Sequence, residues 1–88
     1  MRILVLFDLP VTTKEDRRLA TQFRQFLLDD GYYMLQYPVY ARLCNSVDNA
    51  ESHFRRLARE APQSGSIRCL IVTEKQYASM RLIAGKRA

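Results

Sequence analysis

The stretch Ile3-Leu4-Val5-Leu6-Phe7-Asp8 decides how this chain is read. Five consecutive apolar, β-leaning residues leave no polar side for solvent. The run therefore predicts a strand that seeks cover on both faces. Asp8, Leu9 and Pro10 close it, and a polar turn continues to Thr13. Residues 67–72, with Cys69, Leu70, Ile71 and Val72 in succession, repeat the pattern near the other end of the chain.

Between these strands the hydrophobic period changes. A helix is predicted over residues 14–28, with Thr13 as N-cap and Glu15 and Asp16 at the positive end of its dipole. Leu19, Phe23, Phe26 and Leu27 fall on one face at helical spacing, and Asp29, Asp30 and Gly31 stop it. Residues 32–43 are aromatic and branched and read as extended. Pro38 lies in their middle and cannot donate to a ladder, so they form one kinked edge strand or two short strands. Asn45 and Ser46 cap a second helix over residues 47–61, whose inward stripe is Val47, Ala50, Phe54, Leu57, Ala58 and Ala61. A turn at 62–66 leads into the strand 67–72. Thr73, with Gln76 in the capping-box position, then opens a short turn. Residues 80–83 read as a last short strand before the basic tail of Lys86 and Arg87.

Strand, helix, extended segment, helix and strand, in that order, give an α+β chain of the ferredoxin-like βαββαβ plan: an antiparallel sheet with two helices on one face. Two amphipathic helices cover only one side of a sheet, yet the first strand asks for cover on both. A second copy of the chain packed on the far side, giving a two-fold homodimer, meets that demand. The 88 residues form a single domain, with a core over about 1–78 and a short terminal strand and basic tail over 79–88. Such a small core is often completed by disulfides, a metal or a partner. Cys44 and Cys69 stand alone without a CxxC or a neighbouring histidine, so a disulfide is not expected. No secretory signal is read at the start and no apolar run approaches a membrane span, so the expected compartment is the cytoplasm and no membrane partner is expected.

The hydrophobic share of 48% sets the chain apart from disordered tails, and its formal charge of +5 favours polyanionic partners. Only three of the basic side chains are lysine (Lys14, Lys75 and Lys86); arginine grips phosphate through two parallel hydrogen bonds and tilts the reading toward nucleic acid. Arg17 and Arg18 open the first helix, and Arg24 follows two turns later. Arg55, Arg56 and Arg59 mark the outward face of the second helix, where a Glu51–Arg55 pair one turn apart is expected. In a dimer these ridges form a basic track that positions a nucleic-acid backbone without reading sequence.

Asp8 is the candidate catalytic and metal-ligating residue. It sits where an apolar strand opens into a loop, although a carboxylate there also caps a turn. Magnesium needs only one or two carboxylates, so two Asp8 side chains near a two-fold axis could share one ion and act on a phosphodiester. His53 reads as a packing or surface residue, neither cysteine has a partner for nucleophilic work, and no glycine-rich phosphate loop is present. Tyr32, Tyr33, Tyr37 and Tyr40 could stack on unpaired bases, though tyrosines in strands more often serve core and interface.

Three of these segments, in order, resemble the CRISPR-associated protein two family. The first is the strand 3–7 ending in Asp8, with Arg17 and Arg18 following it. The second, Leu35-Gln36-Tyr37-Pro38-Val39-Tyr40, is similar to the family's Gln-x-Ser-Val-Phe/Tyr segment. The third is the strand 67–72 with Thr73-Glu74-Lys75-Gln76-Tyr77. The resemblance implies a ferredoxin-like homodimer whose short C-terminal strand pairs with the partner subunit. It also implies a role in CRISPR spacer acquisition, in which the dimer sits between dimers of the CRISPR integrase and holds double-stranded DNA. Members have been described as magnesium-dependent endonucleases on RNA, including single-stranded RNA, or DNA, with the carboxylate matching Asp8 as metal ligand. This activity varies among members and need not be required for integration. Tyr40 matches the family's aromatic, and Arg17 or Arg18 its early helix arginine. Pro38 departs from the family's serine, and the sequence given ends at Ala88 where members commonly continue with a docking tail. Outside the family, the alternative is a ferredoxin-like RNA-binding module without catalysis.

Overall fold

The computed structural model describes residues 1–85. In chain order the elements are β1 (Arg2–Asp8), α1 (Lys14–Asp29), β2 (Tyr33–Gln36), β3 (Val39–Leu43), α2 (Val47–Glu60), β4 (Ser66–Val72) and α3 (Glu74–Ala78). The four strands form one sheet in the order β2-β3-β1-β4, antiparallel throughout. This is the expected ferredoxin-like arrangement. Pro38 divides the extended segment into two strands, so the two-strand alternative holds.

β1 is central, and the pleat sends its side chains to opposite faces in alternation. Ile3, Val5 and Phe7 point inward, Ile3 and Val5 with no exposed surface. They share one core cluster with Phe23 and Leu27 of α1 and Ala50 and Leu57 of α2, so both helices cover the same side of the sheet. The register carries that side outward from β1: Val5 stands between Tyr40 and Cys69, and Ile3 between Arg42 and Ile71. Leu4, Leu6 and Asp8 take the other face. Leu4 is flanked by Ala41 and Leu70, and Arg2 by Leu43 and Val72. Leu6 keeps 41% of its surface exposed, and Leu43 and Leu70 are exposed as well. The uneven cover inferred from counting faces is present in the single chain.

Local chemistry sets the helix ends. The Asp16 amide donates to Thr13 Oγ1 (3.0 Å) and the Thr13 amide donates to Asp16 Oδ2 (3.2 Å), a reciprocal cap at the start of α1. Ser46 caps α2 by accepting from the Asn49 amide. Thr73 and Gln76 form the expected capping box, but the turn they open is α3. The Arg2 guanidinium pairs with Glu74 and lies 4.0 Å above the Tyr77 ring, while the Tyr33 and Tyr77 hydroxyls are 2.8 Å apart. These contacts tie α3 to the start of β1 and to β2. Residues 80–83, expected as a strand, form none in the single chain; they follow directly on α3 and its C-cap at Ser79. Lys86 and Arg87 lie outside the described residues.

The inward stripe of α2 is rotated from its expected position. Val47 and Ala58 are exposed, whereas His53 is buried at 5% exposure beside Ala50 and Leu57. Three side chains converge on Asp30, the C-cap of α1. His53 Nδ1 lies 3.4 Å from Asp30 Oδ2, Arg56 pairs with Asp30 Oδ1, and Arg42 donates to the Asp30 carbonyl oxygen. Burial, reinforced by the Arg42 charge, lowers the pKa of His53 and keeps the ring neutral. Burial also pushes the nearby Tyr32 hydroxyl up to about 12.

Because the unfolded chain binds a proton at His53 more readily than the folded one, stability is fully present at neutral pH. It falls as pH drops below the ordinary histidine value of about 6.5. Thermal midpoints measured from pH 7.5 downward should show this decline, and His53→Gln should flatten it. An unchanged acid limb in the variant contradicts the assignment.

Candidate nucleic-acid site

Asp8 ends β1 and is exposed. It lies on the same face as Leu4 and Leu6, with Ser66 of β4 as its cross-strand partner. Two neighbours hold this strand end. The Phe7 amide donates to the Pro38 carbonyl (3.3 Å) at the β2–β3 turn. On the other side Gly65 packs directly on the Asp8 backbone: a Cβ at Gly65 would stand 2.4 Å from the Asp8 carbonyl oxygen, and its φ of +86° suits glycine alone. Sequence reading passed over Gly65 as one residue of the turn 62–66. A glycine directly before a strand that pairs with the Asp8 end was the available signal. Among the described residues no three His, Cys, Asp or Glu side chains gather as a metal site.

The arginines divide into groups. Arg17 donates to the carbonyls of Val11 and Thr12 (3.2 Å each), which folds the β1–α1 loop against the first turn of α1. Arg18 pairs with Glu15, holding that carboxyl below its usual range and raising its own pKa. Arg24 and Arg59 are exposed and take no part in the ion pairs of the described residues, which engage the side chains of Arg2, Arg18 and Arg56. Arg55 donates to Ser52 Oγ at 3.2 Å instead of pairing with Glu51 as expected. Arg56, read as an outward nucleic-acid contact, is half-buried and spent on Asp30. The helix faces therefore present Arg17, Arg18, Arg24, Arg55 and Arg59.

The tyrosines separate just as clearly. Tyr40, offered as a nucleic-acid contact, is 1% exposed and stacks on Phe7 with centroids 5.7 Å apart; the inward face of β3 makes it core. Tyr32 is buried too, and the Tyr33 hydroxyl is engaged by Arg2 and Tyr77. Tyr37, outside both strands, keeps an exposed ring.

With this geometry in place, comparison with known proteins is informative. The family described as CRISPR associated protein Cas2 matches residues 1–80. A CRISPR-associated endoribonuclease Cas2 of Acidovorax ebreus is 56% identical over 85 residues, covering 97% of this chain and 83% of that protein. The chain belongs to the Cas2 family. Its Cas2 relative in Flavobacterium psychrophilum is 45% identical over 97% of this chain and 74% of its own length. The crystal structure of Streptococcus pyogenes Cas2 at pH 6.5 superposes with a TM-score of 0.71, covering 96% of this chain and 100% of that one; at 18% identity it speaks for the fold. No helix among the described residues is long and apolar enough to cross a membrane.

Gly65→Ala tests how the Asp8 strand end is held. The added methyl meets backbone, and the positive φ alone costs about 1–3 kcal/mol. Urea unfolding should show a loss of at least that size, and an unchanged midpoint would mean that the loop approaches Asp8 without needing glycine.

Proposed function

We propose that the protein is a homodimeric CRISPR spacer-acquisition protein. On this reading the dimer holds double-stranded DNA for the CRISPR integrase along its arginine ridges. It is also a magnesium-dependent endonuclease through the Asp8 carboxylates of its two subunits. The observation that carries the proposal is that Asp8 and the exposed leucines Leu6, Leu43 and Leu70 share one face of the sheet. Leu6, Leu43 and Leu70 are each about half exposed, which forfeits about 2–4 kcal/mol of burial per chain. That is a large fraction of the stability of a small domain, and a second copy laid face to face recovers it on both sides.

Covering this face sets the helices of the two copies on opposite outer surfaces. Arg18, Arg24, Arg55 and Arg59 then lie along the exterior, where phosphate contacts fix the position of a duplex without reading its bases. Asp8 lies at the rim of the covered face, and a two-fold axis near the strand ends would bring two such carboxylates together. The donor set suits magnesium, which takes one or two carboxylates and keeps its waters. When bound, the ion supplies positive charge that offsets the charge developing on a phosphodiester. The chain's own part is to hold Asp8 rigidly: β3 and β4 clamp the strand, and Gly65 lets the following turn close on its backbone. That the curated relatives are named endoribonucleases supports a phosphodiester as the substrate and RNA as a strand to test first.

The test compares wild type with Asp8→Asn on labelled single-stranded RNA and duplex DNA, with magnesium and with a chelator. Cleavage should require magnesium and fall at least about 100-fold in the variant, since even outer-shell partners of a metal cost about 10–100-fold. Asp8→Asn should leave duplex binding intact. Equal cleavage by both proteins contradicts the assignment of Asp8.

A further inference from the structure

α1 carries a second pattern beside its core stripe. Arg17, Ala20, Thr21 and Arg24 recur at helical spacing, so two small residues lie between two arginines on one face. The small pair lines an open recess of about 190 Å³ together with both arginines, Val11, Phe7 and Tyr37. Tyr37 stands edge-on to Phe7, with centroids 5.9 Å apart and planes at 87°, which fixes the ring while 59% of its surface stays exposed. Among the described residues no carboxylate lines the recess, so both arginines contribute positive charge to it without a counterion in the lining. Arg17 uses one terminal nitrogen on the loop carbonyls; Arg24 makes no ion pair with the described residues. Drug-sized ligand sites span roughly 300–1,000 Å³, so this space suits a single ring and not a dinucleotide.

We infer that this recess takes one unpaired nucleotide of a single strand, its base against Tyr37 and its phosphate between Arg17 and Arg24. The inference rests on the nucleic-acid reading proposed above and adds a strandedness that the outward arginine ridges do not have. An aromatic face accepts any base, and two cations flanking it accept the backbone, so the recess holds single strands without selecting sequence. A base paired inside a duplex cannot enter it. The recess opens on the helix side of the sheet, at the same end of β1 that carries Asp8 on the opposite face.

The experiment uses a short single-stranded RNA, the same sequence in DNA, and a fully paired DNA duplex of equal length. Each carries a central 2-aminopurine and is titrated in chelator, so that no cleavage occurs. Wild type should quench the probe in both single strands and not in the duplex. Tyr37→Ala should weaken single-strand binding about tenfold and abolish quenching, with duplex affinity changed less than about twofold. Tyr37→Phe, which keeps the ring contact with Phe7, should behave as wild type, and Arg24→Gln should weaken single-strand binding while the probe still quenches at saturation. Quenching in one single strand only would assign the recess to that sugar chemistry. Wild-type affinity and quenching in Tyr37→Ala, or equal loss on single strands and duplex, overturns the inference. Wild type that binds duplex yet never quenches a single strand also overturns it and leaves the proposed DNA scaffold standing.

Discussion

β1 is the constraint from which the rest of the molecule follows. Of the two interior strands among the described residues, it is the one that joins β3 to β4, and its alternating side chains belong to two different environments. Ile3, Val5 and Phe7 anchor the two helices and seat Phe23, Leu27, Ala50 and Leu57. Half-buried Leu4 and exposed Leu6 lie on the side away from those helices, and Asp8 ends that same row. One seven-residue segment therefore fixes the fold, leaves exposed leucine on the face away from the helices and places a carboxylate at its edge.

Much of this was legible because it depends on pattern. The continuous apolar run, the helical spacing of Leu19, Phe23, Phe26 and Leu27, and the caps at Thr13, Ser46 and Thr73 are local signals. The structure places elements where those signals put them, within a residue or two at the ends. What escaped depends on partners distant in sequence. His53 lies inward near Asp30, at the end of the other helix, and Arg56 pairs with that same carboxylate and is drawn from the surface. Tyr40 and Tyr37 are three residues apart and read alike in sequence. The register of β3 against β1 buries the first, while the turn before β3 leaves the second exposed. Gly65 was ordinary turn chemistry until the Asp8 backbone was found against it.

Membership of the Cas2 family rests on close relatives over nearly the whole chain, and the likeness to the streptococcal structure supports the same fold at low identity. The arrangement of charge gives that membership a physical form. On the proposed reading, arginines along the helices serve a backbone that need not be read, the strand end serves a bond to be cut, and the recess beside Tyr37 discriminates paired from unpaired bases. Arg24 belongs to both the ridge and the recess, whereas Asp8 and Tyr37 each belong to one task, so substitutions at those two residues can separate them.

All of the proposed chemistry depends on what covers Leu6 and Leu70. Analytical ultracentrifugation of the wild-type protein at micromolar concentration, beside Leu6→Glu/Leu70→Glu, tests this most directly, with circular dichroism to confirm that the variant folds. The account predicts twice the chain mass for wild type and a folded single chain for the variant. A monomeric wild type, or a variant that still pairs, would contradict it.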